Sequence, residues 1–360
     1  MFCHRLFDSY GNRAKVRKKK ERFKKMILIT GSLGLVGSTA VRYFLDKGES
    51  VIGVDNNMRK QFFGEDGDVS GNQIEHDNYS FYDCDYRNCE NLLGIWKPDL
   101  IIHCASQPSH DWAVNNPMLD FSVNAEGTLY LLEAFRRHCP DGTFIYVSTN
   151  KVYGDNPNNI ALGMRDGESM HRFFALSYKY VNGIDETMPT DICTHSLFGV
   201  SKLAGDLYTQ EYGRYFGLNT GVFRCGCITG ANQKSVELHG FLAYVARCKR
   251  ENKPFVIYGY DGKQVRDIIH AHDLVNAFYH FSKNPKKGEV YNMGGGCHSN
   301  ISVLEALKEF GIEDVAYSPI PRKGDHKWYI SDVRKFMYDF PLWQYEWSLK
   351  RIIEELKCVR

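Results

Sequence analysis

No stretch of the 360 residues runs for eighteen apolar positions, which excludes a membrane-spanning helix. The first residues lack an apolar segment followed by small residues, so no secretory leader is expected. There is no internal repeat, and no low-complexity stretch beyond a basic run near the start. The 11 cysteines and 13 histidines show no metal-ligand spacing. Cys225-Gly-Cys227 is a single CxC, and His103, His110, His195, His270 and His272 are not spaced as ligands, so no metal is expected. An odd number of scattered cysteines suits reduced thiols, and a cytoplasmic location is expected. Tryptophan is scarce at 5, but 43% hydrophobic residues with 22 Tyr and 22 Phe can fill a sizeable core, which excludes a wholly disordered chain. The length suits two domains, or one large α/β domain with a lobe attached.

The formal charge of +2 conceals a division. Ten Lys and Arg crowd residues 1–25 against Asp8 and Glu21, so that segment carries +8 and the remainder −6. Residues 1–25 are expected to form a solvated, disordered extension. A tether to nucleic acid or anionic lipid is the alternative. Met26 opens the first strand directly and is a candidate natural start. For the acidic remainder, neither nucleic acid nor membrane is an expected partner.

Met26-Ile-Leu-Ile-Thr30 is an apolar run of strand length leading into Gly31-Ser-Leu-Gly34-Leu-Val-Gly37. A helical stripe follows (Val36, Ala40, Val41, Phe44), then a strand, Ser50-Val-Ile-Gly-Val-Asp55, ending in an acid. Gly31 permits a tight turn. Gly34 lets backbone N–H groups approach a pyrophosphate at the helix N-terminus, where the dipole favours anions. Gly37 lets helix and strand pack closely. Asp55 can accept from both hydroxyls of a ribose and would repel a 2′-phosphate, so NAD is expected over NADP. Strands continue at Tyr79–Tyr82, Leu100–His103, Thr143–Val147 and Asn219–Arg224, with helices at about 117–138 and 201–216. This alternation predicts an α/β protein, a Rossmann-type doubly wound parallel sheet with ligands at its C-terminal edge. Residues 26–224 are read as the NAD-binding domain, with an insert at about 155–195 expected to be helical. Residues 225–360 are read mainly as a smaller substrate-binding lobe, with some segments returning to the first domain.

Further motifs stand in order: Asp85-Tyr-Arg-Asn88, Asn124 within Val-Asn-Ala-Glu-Gly-Thr128, Ser148-Thr-Asn-Lys-Val-Tyr-Gly154 and Ser201-Lys202. Beyond them lie Gly262-Lys-Gln-Val-Arg-Asp267, Tyr291-Asn-Met-Gly-Gly295 and Arg322-Lys-Gly-Asp325. With GxxGxxG at 31/34/37, the chain from about Met26 onward resembles the extended short-chain dehydrogenases/reductases that act on nucleotide sugars as epimerases and dehydratases. Ser-Thr-Asn-Lys-Val-Tyr-Gly-Asp155 and Gly-Lys-Gln-Val-Arg-Asp267 are most similar to the CDP-paratose 2-epimerases.

The resemblance implies NAD as a tightly held cofactor. Its contacts would come from Gly31, Leu33, Gly34, Leu35, Val36, Gly37, Asp55, Asn56, Asp85, Tyr86, Cys104, Ala105, Ser106, Asn124 and Lys202. It implies a nucleoside-diphosphate sugar held by Asn150, Lys151, Arg224, Arg266 and Arg322, and a homodimer or homotetramer built on two helices from each subunit. It implies a cycle in which a sugar hydroxyl is oxidised, the keto sugar turns, and hydride returns to the opposite face. Thr149 matches the family hydroxyl and Lys202 the family lysine. The family tyrosine, four residues before that lysine, is Phe198 here, and a phenyl ring cannot move a proton. Lys202, Tyr153, Glu186 and His195 are candidate replacements. The alternatives are a catalytically silent NAD and nucleotide-sugar binder, or a related sugar-nucleotide dehydrogenase. In the resembling 4,6-dehydratases the Asn150-Lys151 pair is Asp-Glu, so dehydration is disfavoured. Asp273 and Asp325 are read as structural caps or supports.

Overall fold

The structure, a computed structural model, describes residues 24–359 except 168, 169, 238 and 323. The expected disordered extension therefore lies outside the described residues, apart from Lys24 and Lys25.

Fifteen strands run in chain order among the described residues. They are β1 Met26–Thr30, β2 Ser50–Asp55, β3 Tyr79–Asp83, β4 Leu100–His103, β5 Thr143–Thr149, β6 Leu162–Asp166, β7 His171–Ala175, β8 Asn219–Cys225, β9 Cys227–Thr229, β10 Phe255–Tyr258, β11 Val265–His270, β12 Lys287–Met293, β13 Asn300–Ser302, β14 Val315–Ser318 and β15 Trp328–Tyr329. Seven make one sheet, in the order β12-β8-β5-β4-β1-β2-β3. Every pair in it is parallel.

The residue pattern explains this sheet. Strands buried on both faces must be apolar throughout, and β4 (Leu-Ile-Ile-His) is buried at every position. Successive side chains point to opposite faces, so Ile27 and Ile29 enter one core while Leu28 enters the other. The first core packs the Leu35–Asp46 and Ala271–Lys283 helices, through Val41, Phe44, Leu274 and Phe278. The second packs the Gly127–His138 and Leu197–Phe216 helices, through Leu131, Phe135 and Tyr212. Strand order reverses at β1, between β2 and β4, and the crevice beyond these strand ends is where a doubly wound sheet binds ligands.

The other strands build the lobe. β10 pairs with β14, while β11 holds β9, β13 and β15 around it. Leu242, Val245, Ile257, Ile268, Leu307 and Ile353 form its separate core. The seventh strand of the main sheet, β12, arrives after the lobe has begun. The segment after Asp155 departs from the helical expectation. It forms an antiparallel hairpin of β6 and β7, pairing Leu162 with Ala175 and Asp166 with His171. Its strand His-Arg-Phe-Phe-Ala is aromatic rather than helix-favouring, and Arg172 ties it to Glu305 of the lobe.

Candidate active site

A cleft of about 450 Å³ lies between the C-terminal edge of the main sheet and the lobe. Its floor is the turn after β1. Gly31 has φ +68°, and an added Cβ there would lie 2.7 Å from the Ala105 amide nitrogen. At Gly37 an added Cβ would lie 2.0 Å from the Gly31 carbonyl oxygen, so only glycine lets the Leu35–Asp46 helix close on the turn. At Gly34 the only neighbour such an atom would meet is Gly31 O, at 3.3 Å, so this side of the cradle is open. Gly34 is the helix N-cap and no side chain caps it, which leaves first-turn N–H groups available to an anion.

Asp55 ends β2 at the cleft rim. Its Oδ2 accepts from the Leu33 amide (2.9 Å) and its Oδ1 from the Asn57 amide (2.8 Å). Burial pushes its carboxyl upward, opposed by those amides. The acid thus braces the glycine turn as well as facing the cleft, a role its sequence position did not show. Leu35, Val36, Asn56, Asp85, Tyr86, Cys104, Ala105 and Ser106 line the same cleft. Asp85 is held by the Arg87 guanidinium (2.6 Å), and Tyr86 is buried with its hydroxyl donating to Val123 O.

On the opposite wall stand Thr149, Asn150, Lys151, Phe198 and Lys202. Ser196 caps the Leu197–Phe216 helix and sets Phe198 and Lys202 one turn apart on its inner face. Lys202 Nζ donates to Val147 O (2.7 Å) and lies 4.2 Å from the centre of the Tyr146 ring. Lys151 Nζ donates to Gly324 O (2.9 Å). Burial lowers both ammonium groups to about 8. From the lobe come Arg266, which pairs with Asp325, and Arg322, which pairs with Asp111.

Three expected ligands sit elsewhere. Arg224 does not face the cleft: its guanidinium is buried against both oxygens of Asp206 (2.9 and 3.0 Å) and the Tyr153 hydroxyl (3.2 Å). Asn124 is buried and holds Gln107, Asp120 and Ser201, so it braces the loop after β4 rather than lining the cleft. Leu33 is buried; its amide donates to Asp55 and its carbonyl accepts from Asn72 Nδ2 (2.8 Å). Asp325, read as a support, instead lines the cleft beside Arg266. Asp273 does support the fold, accepting from the amides of Glu346 and Trp347.

Sequence reasoning missed His110, Arg59, Glu237, His239 and Tyr258, all of which line the cleft. His110 packs edge-on against Phe198 with ring centres 5.0 Å apart, and its Nδ1 meets Ser196 Oγ at 2.7 Å. Burial, with Lys151 nearby, lowers its pKa well below 6.5. Its position just beyond the loop that follows β4, at the start of the His110–Asn115 helix on the sheet's C-terminal side, was the available signal. Among the described residues no three His, Cys, Asp or Glu side chains cluster as a metal site. No described helix is long and apolar enough to cross a membrane.

The sequence pattern of the NAD dependent epimerase/dehydratase family matches residues 27–294. The chain belongs to that family. The turn described above fits the dinucleotide of this epimerase/dehydratase family, with an open cradle at Gly34, a helix N-terminus behind it and an acid at the second strand. NAD is the cofactor. The chain is 34% identical over 323 residues to CDP-paratose 2-epimerase of Salmonella typhi, covering 86% of this chain and 91% of that one. It is 27% identical over 335 residues to dTDP-glucose 4,6-dehydratase of Haemophilus influenzae, covering 90% and 89%. Its fold is similar to a solved UDP-glucose 4-epimerase of Thermotoga maritima with UDP-glucose, with TM-score 0.71, 25% identity and coverage of 93% and 97%.

Proposed function

We propose that this protein is an NAD-dependent epimerase of a nucleoside-diphosphate sugar, similar in reaction to CDP-paratose 2-epimerase. The observation that carries the proposal is the meeting, in one cleft, of the glycine turn with Asp55, the Thr149–Lys202 wall and the Arg266–Arg322 pair. When bound, NAD supplies acceptor and donor for a hydride, allowing transient oxidation at a sugar carbon. The residues of the chain do the remainder. The Lys202 ammonium, on the helix one turn beyond Phe198, supplies positive charge beside the reacting hydroxyl. Thr149 and Asn150 orient it. The guanidinium forks of Arg266 and Arg322 take the diphosphate, exchanging their present carboxylate partners for phosphate oxygens. An epimerase rather than a dehydratase is supported by Asn150, an amide that cannot give the proton elimination needs.

Phe198 favours a second reading, a binder that does not turn over. One experiment separates them: CDP-, UDP-, GDP- and dTDP-sugars deuterated at single carbons are incubated with the purified protein. Epimerisation with deuterium retained at the inverted carbon is expected. Tight binding of NAD and a nucleotide sugar without conversion of any would establish the silent reading instead. Phe198→Tyr, made in parallel, would then gain activity if only the base were lost.

A further inference from the structure

The redox step needs a group that takes the hydroxyl proton, and Phe198 has none. Of the four candidates in the sequence, three are turned away from the cleft. Tyr153 Oη donates to Asn292 Oδ1 (2.7 Å), Glu186 Oε1 accepts from the Asn292 amide (2.6 Å), and His195 Nε2 meets Val152 O (2.9 Å). Lys202 does line the cleft, and burial lowers it as far as Lys151, but its ammonium lies over the face of Tyr146, which stabilises the charged form that the reading above uses.

Lys151 is placed differently. Its carbonyl lies against Gly199, next to Phe198, where an added Cβ would come within 2.8 Å. Its ammonium donates to Gly324 O, and an added Cβ at Gly324 would stand 3.3 Å from Nδ1 of His110, the ring that abuts Phe198. The backbone of Lys151 thus abuts the residue after Phe198, and its ammonium is held at Gly324, beside the His110 ring that packs on Phe198. Among the described residues its ammonium has no carboxylate partner and no aromatic face, only that one carbonyl. Resting on the epimerase reading above, we propose that Lys151 is the catalytic residue that takes the sugar hydroxyl proton and returns it, in place of the family tyrosine.

The step balances. The Lys151 amine lone pair takes the O–H proton, the C–O bond becomes C=O, and the C–H electron pair leaves as hydride for the oxidised nicotinamide. On return, hydride re-forms a C–H bond on the opposite face while the Lys151 ammonium gives its proton to the oxygen. The surroundings are consistent with this cycle. Burial lowers Lys151 to about 8, with Asp325 opposing and Arg266 and Arg322 adding to the shift. Cys227, His110 and His326 are the other titratable groups in its field.

The test uses the NAD-loaded full chain. For a nucleotide sugar that wild type converts, Lys151→Gln is expected to bind NAD and that sugar within threefold of wild type and to lose activity by about 10²–10⁴-fold. Wild-type kcat/KM should rise with pH as Lys151 loses its proton near 8 and fall again as Lys202, also near 8, loses its charge, and the Gln variant should lose the rising limb alone. Phe198→Tyr added to Lys151→Gln should restore at least tenfold. Activity within fivefold of wild type in Lys151→Gln, or an unchanged rising limb, overturns the proposal. A second measurement needs no turnover. In reductively ¹³C-methylated protein, the resonance missing from Lys151→Gln should titrate near 8, and titration at 10 or above overturns the proposal. Failure of wild type to convert any sugar, with Lys151 titrating near 8, refutes the epimerase reading and with it the catalytic role of Lys151.

Discussion

Replacing Arg224 with alanine should cost the fold rather than the substrate. The pair with Asp206 is almost wholly buried, so truncation leaves an unpaired carboxylate in a dry site. Removing one partner of such a pair costs about 3–5 kcal/mol. Chemical denaturation should show that loss with NAD affinity unchanged, and a raised substrate KM at full stability would return Arg224 to the substrate. Asp55 makes the opposite case. Asp55→Asn keeps an acceptor for the Leu33 amide but loses the charge offered to a ribose, so NAD affinity should fall about tenfold and the preference against NADP should relax. Fluorescence titration with both dinucleotides measures each change. Two buried histidines, His103 and His326, and two half-buried ones at the cleft, His110 and His239, set an acid limit. His103, His110 and His326 lie well below 6.5 and His239 falls to about 3, each chiefly through burial. Their folded pKa values are depressed, so the unfolded chain binds more protons. Their contribution is whole above pH 6.5 and is lost as pH falls toward the folded values, by about 1.4 kcal/mol per pH unit for each histidine. Melting temperature should drop steeply between pH 6 and 4, and a flat profile there would contradict burial of these rings.

At the scale of elements, the strand, glycine turn, helix and acid from Met26 to Asp55 could be read in full. Each step there rests on local chemistry: an apolar strand, glycines with no Cβ, and a carboxylate at a strand end. Gly37→Ala tests the tightest point. The new Cβ would meet the Gly31 carbonyl at 2.0 Å, so the helix must move away from the turn. NAD retention through gel filtration should be lost and the melting temperature lowered, whereas retention of both would show that the turn yields. Side-chain destinations were less accessible than elements. Arg224 lies on β8 near the sheet edge, a position that suits a ligand equally well. Only the tertiary arrangement turns it onto Asp206, 18 residues back along the chain. The hairpin after Asp155 was hidden for a related reason. Its two five-residue strands, mixing apolar, aromatic and charged side chains, carry no strong period, and docking on the lobe through Arg172 and Glu305 selects the strand state. His110 carries no spacing that points to Phe198; only the fold brings the two rings to 5.0 Å.

For the whole molecule, the charge division and the cleft belong to different parts. The cleft gathers Arg59, Lys151, Lys202, Arg266 and Arg322 within a body whose net charge is negative, so anion binding is local and not a property of the whole surface. The same body leaves apolar side chains exposed on adjacent helices: Met118, Phe121 and Tyr130 on one side, Leu207, Tyr208 and Tyr215 on the other. Exposed apolar side chains on neighbouring helices are what an association face would offer, and we propose that a second copy covers them. Two copies related by a twofold axis could bury them by pairing these helices against their equivalents. The Leu197–Phe216 helix also carries Phe198 and Lys202, so pairing would brace the active-site wall from behind. A dimer is therefore expected in sedimentation velocity at micromolar concentration. Phe121→Glu combined with Tyr208→Glu should give a monomer with lowered thermal stability and weakened turnover, while Asp55 and the glycine turn, remote from that face, should still retain NAD. A wild-type chain that sediments as a monomer at these concentrations, or a double variant that remains dimeric, would assign these apolar side chains to some other contact.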